Sequence, residues 1–532
     1  MRVIAHRGLL GVQSRTLSPP ALNSRKETSM ITRRWLSIAV ATSLVISAAL
    51  LTVCSPTGTP PGVTLVAARN SVFVPAVTEI RLISTATPPP SESACFAIRI
   101  RCFTPQSMTA GYNFGPLYDM GWNGAGKTIA IIDSFGSPTI ADDLHVFDSA
   151  FGLQPMCGET GVTCTPGMPT FQTLEVQGSP PPVSQPPNNG TGQENHFGWA
   201  VEVSLDVEWA HATAPGANII LVTTPTAETL GVQGFPQMMN AVQYVVDHHL
   251  ADVISMSLSA GEGSFASANS LLNLRKALMD AQANNVTVLA ATGDNGSANV
   301  LKQPVKNPPL IPYPSVGWPA SDPLVTAVGG TYHCTDPNST TSPPTVDSTD
   351  PPVNCQGANA GQAEVGWIDG GGGYSILFPR PDYQSPDNLP AGSSFVGSSV
   401  GAPGPNSNMR GVPDVAYQAS ARTAPLVYLS AFGWFTVGGT SCSTPQWAGL
   451  VAIADQISGA DLGFINPGLY KIGSDPTRYA NDFFDVTHGN NGAFAPTIPG
   501  YSASTGWDAV TGLGTPNAAN LAPDLVAAVQ GH

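Results

Sequence analysis

Short apolar runs recur along the chain, separated by polar connections rich in glycine and proline. Runs of strand length lie at residues 128–132, 218–223, 253–258, 286–290 and 324–328. Between them, residues 237–249 and 267–284 carry apolar positions at helical spacing. This alternation predicts βαβ units, hence an α/β fold with a parallel central sheet flanked by helices on both faces. Two polar, Pro-rich stretches, 178–193 and 335–354, are expected as surface loops. No internal repeat stands out.

The first hundred residues follow a different pattern. Thr32-Arg33-Arg34-Trp35-Leu36 precedes an apolar stretch over 36–53, with small residues at 47–49. A basic segment followed by an apolar one is the pattern of an export signal, and the paired arginines suggest a twin-arginine route. Two alternatives stay open. About 18 weakly apolar residues just span a bilayer as a retained anchor, and Leu51-Thr-Val-Cys54 resembles a lipoprotein cleavage box. Met30 is a candidate start, because residues 1–29 look unlike any signal. The expected organisation is therefore a targeting region over 1–54, a Pro/Ser/Thr-rich spacer from the cell envelope over 55–104, and one large domain over 105–532. The product is expected outside the cell or at its surface.

Composition fits a large exported globular protein. Of 532 residues, 42% are hydrophobic and only 11% charged, enough apolar material for a sizeable core. Thirty-six acidic against 21 basic residues give a net charge of −15, which argues against nucleic acid as a partner. Low charge density also limits self-repulsion in acid, where many carboxylates are neutral. There are eight cysteines. Cys54 lies in the targeting region, and Cys442 reads as a small buried residue. Local pairing is expected for the other six, Cys95 with Cys102, Cys157 with Cys164 and Cys334 with Cys355, out of 15 possible connectivities. Such bridges belong to an oxidising compartment.

Three segments carry candidate chemistry. In Gly438-Gly439-Thr440-Ser441-Cys442-Ser443-Thr444-Pro445, a hydroxyl follows a strand-like segment (434–437) and precedes a helical run (445–457). That placement holds Ser441 in a tight turn at a helix N-terminus, where backbone N–H groups favour developing negative charge. Pro445 is expected in the first helical turn. Glu202 and Asp206 lie four apart in a helical stretch running from Trp199 to about Ala212, so both carboxylates share one face. Close carboxylates share a proton, and such a pair serves as a general base in acid, where histidine is already protonated. Glu208 reads as the surface charge of that helix. Asp294 sits in Thr292-Gly293-Asp294-Asn295-Gly296, just after an apolar strand, where ligand-contacting residues of parallel sheets gather. An acid held protonated there donates a hydrogen bond to an oxyanion. Read separately, these are also an ordinary helix cap, two solvated acids and an Asx-turn residue.

Taken in order, the segments resemble the sedolisins, serine-carboxyl peptidases of subtilisin-like fold. The matching pieces are Glu202-x-x-x-Asp206 with Ala214-Pro-Gly-Ala217, then Ala291-Thr-Gly-Asp294, then Gly438-Gly-Thr-Ser441-x-Ser-x-Pro445. Supporting stretches are Pro319-Ala-Ser-Asp-Pro-Leu-Val-Thr-Ala-Val-Gly-Gly-Thr331, Gly370-Gly-Gly-Gly-Tyr374, Phe378-Pro-Arg-Pro381 and Gly411-Val-Pro-Asp-Val415. The likeness spans roughly residues 105–529. It implies that Ser441 is the nucleophile, Glu202 its general base, Asp206 the partner that positions Glu202, and Asp294 part of the oxyanion hole. It also implies protein or peptide substrates, an acyl-enzyme and action in acid. A calcium site is implied as well, with carboxylates from Asp485 and Asp508 and backbone carbonyls from Val486, Ser504 and Gly506, although the family more often has glycine at the Ser504 position. An all-oxygen shell suits Ca2+. The chain is expected to act as a monomer. The roughly 50 residues of 55–104 are too few for the long pro-domain usual in the family.

Two rival readings stay open. Asp133, closing an Ile-Ala-Ile-Ile-Asp strand, stands where histidine-based subtilisins carry their triad aspartate, with His196 or His211 as the base. Neither histidine has the expected Gly-Thr-His-Val-Ala-Gly-like surroundings, and His211 is expected to pack or face solvent on the Glu202 helix. The other reading is an inactive, calcium-stabilised surface protein that binds peptides or a wall component.

Overall fold

In the computed structural model, the described residues are 79–98, 100–179, 196–227, 234–301, 309–333, 364–393 and 408–531. All of them fall within one unit, Leu65–His532. The targeting region, the Cys334–Cys355 pair and nearly all of the two Pro-rich loops lie outside the described residues.

An eight-stranded sheet forms the centre, in the order Glu364–Gly366, Thr326–His333, Thr287–Ala291, Val253–Met256, Thr128–Ser134, Asn218–Thr224 and Phe171–Glu175, with Val415–Gln418 paired to Thr326–His333. All of these pairings are parallel except that of Glu364–Gly366. The five runs expected as strands are all strands, with ends displaced by a few residues. Alternate side chains of one strand enter different cores, as the two-residue period of a strand requires. Ile129 and Ile131 pack with the helices His196–Thr213, Thr440–Ser458 and Ala518–Gln530. Ala130 and Ile132 pack with Phe235–Asp247 and Lys276–Ala283 on the other face. Burial on both faces is what forces near-continuous apolar strands in parallel sheets.

Several expectations fail locally. The run 267–284 is not one helix but Ala268–Leu272, a 3-10 turn at Asn273–Arg275 and Lys276–Ala283. The spacer reading fails over its second half. Glu79–Ser84 pairs antiparallel with Gly433–Gly438, and Arg101–Phe103 pairs in parallel with Thr423–Leu429. This second, four-stranded sheet includes the strand that leads into Ser441. Cross-strand partners far along the chain supply that order, and composition does not register them. Both bridges within the described residues form as expected, Cys95–Cys102 and Cys157–Cys164. Cys442 is free and buried.

Glu208 is not a surface charge. Its carboxylate is buried and accepts the Tyr428 N–H at 3.1 Å. His211 is buried too, 3.1 Å from Asp148 and 2.8 Å from the Gln154 carbonyl. The helix that carries them has neighbours on every side, so it has no solvent face, and nothing in its spacing announces that. Among the described residues, no helix is long and apolar enough to cross a membrane.

Candidate active site

Ser441 is the second residue of the helix Thr440–Ser458, which begins five residues before the expected Pro445. Pro445 therefore lies inside the helix rather than in its first turn. The strand Gly433–Gly438 reaches the helix through Gly439, whose φ of 154° is open essentially to glycine alone. A Cβ on Gly438 would meet the Ala421 backbone nitrogen at 2.5 Å. The two glycines thus set a sharp strand-to-helix turn, with Ser441 on the first turn of backbone N–H groups.

Glu202 and Asp206 occupy successive turns of His196–Thr213, which packs against the Ser441 helix. Both are fully buried. The Glu202 pKa stands well above the usual carboxylate range, first because of burial, then because of the negative charges of Asp206 and Asp133. The Ser441 hydroxyl acts on Glu202 as a hydrogen-bond donor and pulls the other way, although the contact falls short of full hydrogen-bond geometry. Asp206 is also raised well above its usual value, by burial and by Asp133, with the nearby Ser257 hydroxyl acting in opposition although short of full hydrogen-bond geometry. Asp133 ends the strand Thr128–Ser134, is wholly buried, and has its pKa pushed up to about 8 by burial. No described group hydrogen-bonds its carboxylate oxygens. Three acids thus face one another where water cannot screen them, and they hold protons together at pH values where isolated carboxyls would be ionised.

Asp294 follows the strand Thr287–Ala291 and is 4% exposed. Its Oδ1 accepts both the backbone N–H of Thr440 at 2.8 Å and the Thr440 hydroxyl at 2.9 Å. The Asp294 turn is therefore fastened to the residue next to Ser441. The four residues singled out for catalysis converge at the carboxyl ends of the strands 128–134, 253–256 and 287–291, the expected place for a site in a parallel sheet.

Sequence reasoning gave Asp133 to a rival mechanism, yet it stands among the acids. Its signal was visible: an aspartate closing an apolar strand. Ser257 and Thr440 went unassigned, and nothing in their local sequence marks them. Among the described residues no histidine takes the base position. None is among the main groups acting on Glu202, His211 is engaged with Asp148, and the His196 ring lies against Phe135 with centroids 4.6 Å apart.

The residues expected to hold calcium also come together. Asp485 Oδ2 accepts from Gly506 N–H at 2.9 Å, and Asp508 Oδ2 from Ser504 N–H at 2.8 Å. Asp508 Oδ1 takes the N–H groups of Val510 and Thr511 at 2.8 and 2.9 Å. Asp485 Oδ1 is buried without a hydrogen bond of full geometry, and no described donor reaches the carbonyls of Val486, Ser504 or Gly506. A carboxylate oxygen met only by the Tyr479 hydroxyl, short of full hydrogen-bond geometry, in a segment with unused carbonyls fits a hard cation. Among the described residues no group of three or more acidic, histidine or cysteine side chains suits a metal. A cation here would rely on backbone oxygens for much of its shell.

Comparisons with known proteins agree with this geometry. A parallel sheet with a serine on a glycine turn beside buried acids defines the subtilisin-like class. Residues 188–460 match the Subtilase family, to which the chain belongs, and its relatives and structural neighbour identify it as a sedolisin. Kumamolisin from Bacillus sp. (strain MN-32) is 32% identical over 425 residues, which cover 78% of this chain and 62% of that protein. Tripeptidyl-peptidase 1 of Homo sapiens is 29% identical over 343 residues, 61% of this chain and 52% of its own length. The chain thus spans about half to three-fifths of the curated relatives it matches. The structure of a Pseudomonas sedolisin, a serine-carboxyl proteinase complexed with two molecules of pseudo-iodotyrostatin, superposes with a TM-score of 0.57. It is 27% identical, and the match covers 80% of this chain and 97% of that one.

Proposed function

We propose that this chain is an exported, acid-acting serine-carboxyl endopeptidase. The observation that carries this reading is a serine at a helix N-terminus facing a buried, proton-sharing set of carboxyls, with no histidine in the base position. In the proposed reaction, Ser441 Oγ attacks the peptide carbonyl while Glu202 takes its proton. Asp206 holds Glu202 in place, and Asp133, neutral in acid, shares the enclosed site with the pair. The developing oxyanion meets a protonated Asp294 and the N–H groups of the Ser441 turn. Glu202 then passes its proton to the leaving amine, and water, deprotonated by Glu202, releases the acyl group. Each carboxyl must carry a proton at some stage, so activity belongs to acid. The two disulfides support an oxidising, exported setting.

Hydrolysis of a denatured protein substrate with blocked N-termini, followed from pH 2 to 9, tests the reading. Activity should be confined to acid and fall at least roughly a thousandfold in Glu202→Gln, which keeps the shape but cannot take the proton. A neutral or alkaline optimum that survives this substitution would point back to histidine.

Calcium would be held by Asp485, Asp508 and the carbonyls of Val486, Ser504 and Gly506. Bound there, it supplies charge neutralisation that ties the 485–486 turn to the 504–508 loop, with no part in the reaction. Chelation should lower the melting temperature by about 5 °C or more, with recovery on adding calcium but not magnesium. An unchanged melting temperature would remove the cation from this site.

A further inference from the structure

Thr440 lies beside the nucleophile, and three of its polar contacts together have a direction. Its hydroxyl accepts the Gly293 N–H at 3.0 Å. An N–H can only donate, so the single hydroxyl proton of Thr440 is left to point at Asp294 Oδ1, 2.9 Å away. The Thr440 backbone N–H reaches the same oxygen at 2.8 Å. The side chain is fully buried, and a Cβ on Gly330 would lie 3.3 Å from its methyl carbon. Rotation of the hydroxyl away from Asp294 would leave the Gly293 and Asp294 groups mismatched in a site closed to water, which is costly.

Two donors on Oδ1 decide where a neutral Asp294 keeps its proton. An oxygen that carries its own hydrogen is a poor acceptor, and Oδ1 is already accepting twice. The proton therefore belongs on Oδ2. We propose that Thr440 is a positioning residue that fixes the acid proton of Asp294 on Oδ2 and so presents Asp294 as a hydrogen-bond donor of fixed direction. This rests on the proposed role of Asp294 toward the oxyanion. Without the clamp the carboxyl would divide its time between two protonated forms, only one of which donates the right way. The cost would fall on the transition state, where the negative oxygen forms, and not on substrate binding.

The test compares the full-length enzyme with Thr440→Val, which keeps the shape and loses the hydroxyl, and Thr440→Ser, which keeps the hydroxyl. Ser441→Ala serves as the control. In Thr440→Val, kcat should fall roughly ten- to a hundredfold with KM within about twofold. The upper limb of its kcat–pH profile should move to higher pH, because one donor favouring the ionised carboxylate is gone. Thr440→Ser should restore both kcat and the limb. A purely structural role would lower melting temperature without moving that limb. If the valine variant does not accumulate, Thr440→Ala repeats the measurement with a smaller side chain. Unchanged kcat and pH limb in the hydroxyl-free variant, or an equal loss in Thr440→Ser, overturns the proposal. Should Ser441→Ala hydrolyse substrate as well as the parent, the peptidase reading itself falls. If that control is inactive while Thr440→Val is unaffected, only the positioning role falls.

Discussion

Replacing Ser441 by alanine should remove peptide hydrolysis, by roughly five to six orders of magnitude in kcat, while leaving the fold unchanged. The reasoning starts from packing. Ser441 is fully buried on the first turn of its helix, and alanine fits the same space with a better helix propensity. The hydroxyl lost is the group that acts on Glu202 and pulls its pKa down. Without it, Glu202 loses a donor, so its proton is held to still higher pH. Far-ultraviolet circular dichroism and the calcium response should match the parent, and active-site acylation should vanish. Substitution of His196, by contrast, should retain most activity. A loss as large as that of Ser441→Ala would end the carboxylate mechanism.

Stability should fall as pH rises from about 4 to 8, the reverse of most paired-carboxylate proteins. Acids outside the proposed catalytic set carry this effect. Asp455 is pushed up to about 8, Glu159 to about 7 and Asp143 to about 6, in each case mainly by burial. His211 is raised as well: burial alone would lower it, but Asp148, the Gln154 carbonyl and Glu159 together outweigh burial. A raised acid keeps its proton in the folded chain at pH values where the unfolded chain has released it. The folded state then binds more protons, so stability is greatest near the unfolded carboxyl pKa and declines toward the folded one. The raised histidine acts in the same direction: its contribution is complete below about pH 6.5 and is lost as pH rises through its folded value. Asp280 and Asp461 are lowered and act oppositely, but Asp461 is exposed, Asp280 partly so, and both are weakly felt.

For Asp455, whose side chain is buried with Oδ2 unpartnered among the described residues, the loss between pH 4 and 8 is on the order of 5 kcal/mol. Together with the others this should lower the melting temperature by about 10 °C or more across that range. Scanning calorimetry at five pH values reads it directly. Asp455→Asn keeps an acceptor for the Leu462 N–H, bound at 2.8 Å, and should flatten part of the slope. A melting temperature that is constant or rises with pH would contradict the account. Such a dependence would match stability to the acid in which the proposed chemistry runs.

Much of the architecture was legible in one dimension because the relevant physics is local. Apolar runs of strand length, separated by helical spacing, specify a doubly covered parallel sheet wherever they occur. Gly438 and Gly439 before Ser441, and Glu202 four residues before Asp206, similarly fix a turn and a shared helix face through backbone geometry alone. The cysteines seven apart were readable for the same reason.

Burial and long-range pairing were not legible. Glu208 and Asp206 lie on one helix two residues apart, and only the neighbouring strand Thr423–Leu429 and Ser257 show that both are enclosed. Whether Asp133 serves a histidine or joins a set of carboxyls depends on which strand end lies beside which helix. The residues 79–103 read as a spacer until partners more than three hundred positions away paired with them. Thr440 shows the same limit at atomic scale, since the direction of one hydroxyl is decided by Gly293 and Asp294 from a turn far away in the chain. Sequence by itself determined the local elements and the residue types available for acid chemistry. Tertiary structure alone decided which acids share a dry site, and exclusion of water is what makes their charges act on one another.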